Sequence, residues 1–274
     1  MTLLSIIIPN YNYGRFADRF FRSVIAQTMD LQSVEILFVD DGSTDDSIKQ
    51  AQKWAEKIEC DKFEILTPPR TGKPGLVRNY GLERAKGDSL ICIDHDDILH
   101  PEFLSTCLET LNNNPEIGFV YTDYLENSLE GAREVHLPKF CKAHLRTQNT
   151  LSPSAMYRRE LWDSGIRYRA NTAYEDWDYW VQCLMTGAAF QLIPKVLYNY
   201  EVHGNNFSIG AVKDDGVAKA QIVLNNPSFF HPMVVHWAED HLRGRVYAAA
   251  FQRGCIPRPE DIKALLNKIE AGIR

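Results

Sequence analysis

No stretch of this 274-residue sequence approaches the roughly 18 consecutive apolar residues that a membrane-spanning helix requires. There is no basic-then-apolar leader either, because Met1-Thr2-Leu3-Leu4-Ser5 runs directly into a strand-like segment, so a cytoplasmic chain is the expectation. An excess of positive charge is also missing. Lys and Arg number 30 against 36 Asp and Glu, a net charge of −6, which argues against a nucleic-acid partner that must be held through many phosphates. Cysteine is sparse and scattered: Cys60, Cys92, Cys107, Cys141, Cys183 and Cys255 form no CxxC pair, which excludes a zinc knuckle or a redox couple and predicts buried, reduced thiols. Neither GxxxxGK[ST] nor a GxGxxG after the first strand occurs, so a P-loop and a dinucleotide fingerprint are both excluded. Internal repeats and low-complexity tracts are absent.

What is present is enough apolar material for a sizeable core, 45% hydrophobic with 24% charged and 11% aromatic residues. At roughly 150 residues per domain the length predicts about two units. Leu3 to Pro9 is a β-branched run without polar alternation, as in a strand covered on both faces. Phe16, Phe20 and Val24 with Ala17, Phe21 and Ile25 then recur at helical spacing. The same alternation continues with a strand at Val34 to Val39 and a helix from Asp45 to Ile58, preceded by Ser43 and Asp46 at capping-box spacing. Phe63 to Leu66 reads as a strand, followed by a Gly/Pro-rich loop and a helix through Leu76 and Tyr80. Ser89 to Ile93 reads as a further strand, and Pro101 opens the next helix. Strands alternating with helices in this way predict an α/β fold with right-handed βαβ crossovers and a mainly parallel central sheet.

The second half is less regular. Strands are expected near Ile117 to Tyr124, Ala132 to Leu137 and Phe190 to Tyr200, with helices at Arg158 to Ser164 and Asp176 to Met185. From Asp215 the pattern turns helical, ending in an amphipathic stretch with Ile262, Leu265, Leu266 and Ile269.

Ligands of a parallel α/β sheet collect at the carboxyl ends of its strands. Three such ends carry unusual residues: Pro9-Asn10-Tyr11-Asn12, Asp40-Asp41-Gly42-Ser43 and Asp94-His95-Asp96-Asp97. Carboxylates concentrated at one edge repel each other, and a divalent cation is the natural partner that relieves the repulsion. Asp40-Asp41 alone also fits an ordinary turn and helix cap. Tyr11 suits stacking on a nucleobase, and Arg70, Lys73 and Arg78 are the cations near the third loop and its helix.

Taken together, IIIPNYN, ILFVDDGSTDDS, GLVRNYGLERAKGD and LICIDHDD, in this order, resemble the family 2 glycosyltransferases, inverting enzymes on the GT-A nucleotide-sugar-binding fold. Ser152-Pro153-Ser154-Ala155-Met156-Tyr157-Arg158-Arg159-Glu160-Leu161 is similar to the family's acceptor-side segment, and Ala173-Tyr174-Glu175-Asp176-Trp177-Asp178-Tyr179-Trp180 to its ED motif. The resemblance covers about residues 3 to 210. It implies a transferase domain over 1–210, while 211–274, which departs from the family pattern, reads from its periodicity as a helical C-terminal extension. By this resemblance Pro9 and Tyr11 line the base pocket, with Asp41 or its neighbour Asp40 accepting a hydrogen bond from the base. Asp94 faces the ribose or the metal, Asp96 sits on the metal, Asp97 supports them, and Arg78 faces the nucleotide-sugar. Asp176 is the general base with Glu175 beside it, and His203 stands near the metal or the diphosphate. Trp177 and Trp180 beside Asp176 fit either core packing or a face offered to a sugar ring, with core packing expected for one of them.

The implied activity is metal-dependent transfer, with Mn2+ or Mg2+, from a nucleotide-diphospho-sugar donor, first a UDP-sugar, to an acceptor hydroxyl in surface polysaccharide or glycan synthesis. A glycan or a lipid-linked acceptor fits, and the latter would place the enzyme peripherally at the inner face of the membrane. Two alternatives remain: a nucleotidyltransferase making nucleotide-sugars, which usually needs a Gly-rich basic loop that Asn10 to Gly14 lacks, and a non-catalytic nucleotide-sugar-binding protein. An aspartate-based phosphotransferase would want Gly-Thr where this chain has Asp97-Ile98.

Overall fold

Leu4, Ile6, Ile7 and Ile8 have no access to solvent, as a strand covered on both faces requires, and they belong to β1 (Leu4–Asn10). The computed structural model describes residues 3–152, 154–204 and 215–272. Pro153 of the acceptor-side segment, Asn205 and Asn206 after His203, and the expected boundary at 210 lie outside the described residues.

The chain divides into two compact units, and the nine strands among the described residues belong to the first, which comprises Met1–Phe140, Leu151–Tyr168 and Thr186–His203. Here β1 pairs in parallel with β2 (Val34–Asp40) on one side and β4 (Ser89–Cys92) on the other, and β2 pairs with β3 (Lys62–Leu66). The intervening helices are α1 (Ala17–Ile25), α2 (Ser47–Ala55) and α3 (Pro74–Leu82). Ala17, Phe20, Phe21 and Val24 of α1 are fully buried, and the Phe21 ring stacks on Trp54 of α2 at 5.9 Å. The register sets Asn10 opposite Asp40, so β1 and β2 deliver their last residues side by side.

Beyond β4 the sheet changes character. After β5 (Ile98–Leu99) and α4 (Phe103–Asn113) come β6 (Ile117–Ser128), β7 (Gly131–Val135), β8 (Ala155–Arg158), α6 (Arg159–Asp163) and β9 (Ala189–Glu201). The order is β3-β2-β1-β4-β8-β6-β9-β5, with β7 paired to β6. β8 runs antiparallel to both β4 and β6, whereas β6 and β9 are parallel. The strands β3-β2-β1-β4 therefore form one parallel block and β6 and β9 a second parallel pair, and the four-residue β8, too short to show a hydrophobic period, runs antiparallel between them. The capping box expected at Ser43 and Asp46 does not form. Asp45 instead takes the amide of Ser47 at 3.0 Å, and Ser43 Oγ serves the β1 loop.

The second unit comprises Cys141–Thr150, Arg169–Met185 and Gly204–Arg274. It is helical: α5 (Lys142–Leu145), α7 (Glu175–Met185), α8 (Asp215–Asn225), α9 (Pro232–Leu242) and α10 (Pro259–Glu270). Trp237 is fully buried here and donates its indole N–H to the carbonyl of Ala248 at 3.1 Å. Trp177 and Trp180 are both buried, so core packing, expected for one of them, holds for both. The thiols depart from expectation too. All six are free, but Cys141 and Cys255 are exposed, since one precedes the four-residue α5 and the other lies in the loop before α10. No helix among the described residues is long and apolar enough to cross a membrane.

Candidate active site

Two loops at the carboxyl ends of β1 and β2 are locked together by short polar side chains. Asn12, held at φ 57°, accepts the amide of Thr44 at 2.7 Å on its Oδ1, and its own amide donates to Ser43 Oγ at 2.8 Å. Asp40, the last residue of β2, accepts from the Ser43 amide and hydroxyl at 2.8 and 2.6 Å and from Asn10 Nδ2 at 2.7 Å. Asp41 reaches the third loop instead, where its carboxylate takes the Thr71 amide at 2.6 Å, the Thr71 hydroxyl at 3.0 Å and the Gly72 amide at 2.7 Å. Pro9 is buried in β1, and Tyr11 lies exposed at its end with the Arg70 guanidinium over its ring at 4.2 Å. Gly42 between them has φ 79°, a conformation that side-chain-bearing residues avoid, and an added Cβ would also press on Arg70 at 3.3 Å.

The acidic run after β4 splits in two directions. His95 turns into the core among Phe20, Phe21 and Phe38, with ring centroids at 5.2, 5.3 and 5.1 Å. Its Nδ1 meets Asn10 Oδ1 at 2.7 Å. Because Asn10 Nδ2 already donates to Asp40 and Ser43, the amide oxygen must accept, which assigns the proton to Nδ1 and leaves Nε2 bare. Burial in this aromatic cage lowers the imidazole to about 3, so His95 is neutral and structural. Asn10, only 3% exposed, thus ties the ends of β1, β2 and β4 together.

Asp94, Asp96 and Asp97 turn the other way, and each offers an oxygen within 4.8 Å of the others'. Arg78 Nη2 from α3 donates to Asp94 Oδ1 at 2.7 Å while its guanidinium lies 5.5 Å from the Tyr168 ring centre. His203, just beyond β9, places Nε2 at 2.8 Å from Asp96 Oδ2. The ring of His203 is itself stacked on Phe16 at 5.0 Å and set edge-on to Tyr13 at 5.6 Å. Asp97 is fully buried, takes the phenol of Tyr198 and accepts the amide of Glu201 at 3.1 Å. Arg19 of α1 holds the backbone beneath, donating to the Asp96 carbonyl at 2.6 Å and pairing with Glu201 at 3.2 Å.

Burial first, and then repulsion from Asp94, raises Asp96 to about 6 against the opposing pull of His203. Asp97 is pushed well above the usual carboxylate range by burial and by its two acidic neighbours. Three carboxylates gathered this closely form a hard oxygen donor set suited to Mg2+ or Mn2+, which relieves their mutual repulsion. The residues present fit a divalent cation, with Asp94, Asp96 and Asp97 as its oxygen donors and His203 beside Asp96.

Of the residues expected from the sequence, the structure therefore groups Asp94, Asp96, Asp97, Arg78 and His203, and sets Pro9, Tyr11, Asp40 and Asp41 on the neighbouring strand ends. Glu175 and Asp176 lie in the second unit, in the first turn of α7. There Asp176 Oδ1 accepts the Trp177 amide at 2.7 Å and Oδ2 accepts from Asn149 Nδ2 at 3.2 Å. Asn10, Tyr13, Arg19 and Tyr198 are site residues to which the sequence alone assigns no role. Asn10 lies within the strand-end run Pro9 to Asn12 and Tyr13 directly after it, whereas by sequence Arg19 is an ordinary helix-surface cation and Tyr198 a strand aromatic.

Residues 5–175 match the family model described as glycosyl transferase family 2. An uncharacterised glycosyltransferase of Nostoc sp. is 27% identical over 240 residues, which cover 80% of this chain and 71% of that protein. The chain spans less than a third of the length of the bacterial chondroitin synthases that it also matches. Among solved structures, TarS of S. aureus in complex with UDP-GlcNAc superposes with a TM-score of 0.68 at 19% identity, covering 82% of this chain and 67% of that one. The mannosyltransferase PcManGT from Pyrobaculum calidifontis, in complex with GDP-Man and Mn2+, has a TM-score of 0.64 at 18% identity, covering 98% and 79%. At these identities the two structures speak to the shared GT-A fold.

Proposed function

This chain belongs to glycosyl transferase family 2, and on that footing we propose that it moves a sugar from a nucleoside-diphosphate donor to an acceptor hydroxyl with inversion at the anomeric carbon. The observation that carries this reading is the grouping of Asp94, Asp96, Asp97 and His203 at the strand ends next to the β1 and β2 loops. A divalent cation bound there would supply electrostatic stabilisation to the negative charge that builds on a departing nucleoside diphosphate. Mn2+ is the first candidate because PcManGT was solved with it, and Mg2+ satisfies the same oxygen donors.

The chain's own residues divide the remaining work. Tyr11 stacks the base, with Pro9 lining the pocket and Asp41, or Asp40 beside it, accepting a hydrogen bond from the base. Arg78, steadied by Asp94, brings a guanidinium towards the sugar-diphosphate. Asp176 takes the proton of the incoming hydroxyl, with Glu175 beside it, and one base opposite the leaving group gives a single displacement. A UDP-sugar is the favoured donor, supported by the UDP-GlcNAc complex of TarS, with a GDP-sugar as competitor from PcManGT. A surface polysaccharide or other glycan is the acceptor class that the polysaccharide synthases among the relatives support. A lipid-linked form would bring the protein to a membrane face. Within this reading residues 1–210 are the transferase domain and 211–274 its helical extension.

Thermal melting and calorimetry with UDP-GlcNAc, UDP-glucose and GDP-mannose, each in Mn2+, in Mg2+ and in EDTA, test the assignment, since a ligand of the native state raises its melting point. Binding of one of these donors that needs the cation is the expected result. Absence of binding by any of them in either metal would overturn it.

A further inference from the structure

We infer that α8 is a splint for the first turn of α7, with Tyr174 and Asp215 as positioning residues for the carboxylate of Asp176. This rests on the reading of Asp176 as the base. The segment that leads into α7 is fastened along one face of α8 at successive levels. Tyr174 donates its phenol hydrogen to Asp215 Oδ1 at 2.8 Å. Thr172, buried, donates its hydroxyl to the carbonyl of Ala218 at 2.9 Å and accepts the Tyr174 amide at 3.2 Å. Asn171 Nδ2 donates to Gln221 Oε1 at 3.2 Å and to Asn225 Oδ1 at 2.8 Å. Asn225 Nδ2 answers to Asn171 Oδ1 at 3.0 Å and to Asp178 Oδ1 at 3.1 Å. Residues 215, 218, 221 and 225 are three or four apart, the spacing of one helical face.

The far end of this fastening is itself anchored by a buried cation. Lys219, whose side chain is 1% exposed, places Nζ at 3.1 Å from Asp215 Oδ2, 2.9 Å from the Gly254 carbonyl and 3.3 Å from that of Phe251. A buried ammonium is tolerated only when paired and hydrogen-bonded, and here three acceptors surround it. Asp215 is thereby paired on both carboxylate oxygens, with Lys219 and with Tyr174, and Tyr174 is the strut between it and α7. Burial and the charges of Asp215 and Asp176 raise the phenol above its ordinary range, so it stays a donor. At the other end of the strut, the Tyr174 carbonyl accepts the Asp178 amide at 3.1 Å, closing the first turn of α7, in which Asp176 lies. Directional polar contacts at several levels constrain the helix start more tightly than apolar packing alone. That matters because a misplacement of about 1 Å in a reacting group costs on the order of a hundredfold in rate.

The test is Tyr174→Phe, which removes one hydroxyl and leaves the Asp215–Lys219 pair intact, with Thr172→Val and Thr172→Ser alongside it. Amide hydrogen exchange reads the geometry without any substrate. The Trp177 and Asp178 amides of Tyr174→Phe and Thr172→Val should exchange about tenfold faster or more, those of α9 should not change, and Thr172→Ser should behave as wild type. Hydrolysis of UDP-GlcNAc or GDP-mannose in Mn2+ reads the consequence, with kcat for Tyr174→Phe down about 10- to 100-fold and the nucleotide KM unchanged. Wild-type exchange at Trp177 and Asp178 overturns the splint, as does a rate that falls only in step with the melting temperature. An Asp176→Asn enzyme as active as wild type removes the base, and any role for a splint with it. An inactive Asp176→Asn beside a Tyr174→Phe enzyme with wild-type exchange and turnover overturns the splint alone.

Discussion

His203 Nε2 stands 2.8 Å from Asp96 Oδ2, joining two residues 107 positions apart in the chain across the ends of β9 and β4. The imidazole is steadied by Phe16 and Tyr13, and the carboxylate's backbone is steadied by Arg19 from α1. Three elements that share no local sequence therefore converge on one pair of atoms.

Asp96→Ala is expected to abolish Mn2+-dependent nucleotide binding, and His203→Ala to weaken it by about 10- to 100-fold. Calorimetry with UDP and GDP in Mn2+ and in EDTA reads both. Undiminished binding by the Asp96 variant in Mn2+ would remove the carboxylate group as the cation site.

Asp176→Asn keeps the shape of the side chain but cannot accept a proton. Turnover should drop by about 10²- to 10⁴-fold while nucleotide affinity in Mn2+ is retained. Loss of both in equal measure would give Asp176 a structural role.

His95→Ala opens a cavity between Phe20, Phe21 and Phe38 and should cost about 2–4 kcal/mol. Asn10→Ala leaves His95 Nδ1 without its acceptor and removes one of the three donors to Asp40, and should cost about 1–3 kcal/mol. The double variant should lose less than the sum, because the two share a hydrogen bond. Urea midpoints at constant m-value measure all three.

Asp178 is fully buried, and burial raises its carboxyl above the ordinary range despite the opposing pull of Arg169, Asn225 and Asn226. A folded-state pKa above the unfolded one means that the native state holds the proton more tightly. The stabilisation is full below the ordinary carboxylate range and is lost as pH rises through the raised value. The melting-temperature advantage of wild type over Asp178→Asn should shrink as pH rises from 4 upward; an advantage that grows would reverse the assignment.

Gly81 in α3 lies so close to β1 and β2 that an added Cβ would meet Ile7 Cγ2 at 2.7 Å and Val39 Cγ2 at 3.0 Å. Gly81→Ala should cost about 1–3 kcal/mol through overpacking, although alanine is the better helix former. A stability at or above wild type in urea unfolding would show that the sheet yields.

The alternation from β1 to α4 was legible because each element spans a full hydrophobic period: Ile6 to Ile8 lack polar interruption, and Phe20, Phe21 and Val24 repeat at helical spacing. β5 and β8, with two and four residues, are shorter than any period and were missed as strands. The acids after β4 could be read as a group, but not that His95 between them turns inward to Asn10. Nor did Asp41 announce that its carboxylate would close on Thr71 and Gly72, since 30 residues separate them.

Local chemistry written along the chain determined the βαβ rhythm, the strand ends that carry acids and aromatics, and the resemblance to a nucleotide-sugar enzyme, because periodicity and short motifs act over a few residues. Strand pairing and helix docking decided the rest: the antiparallel β8 between β4 and β6, the meeting of His203 with Asp96, and the Tyr174–Asp215–Lys219 chain. Those contacts join residues tens to more than a hundred positions apart or depend on which helical face is buried, and only the folded chain specifies which groups become neighbours.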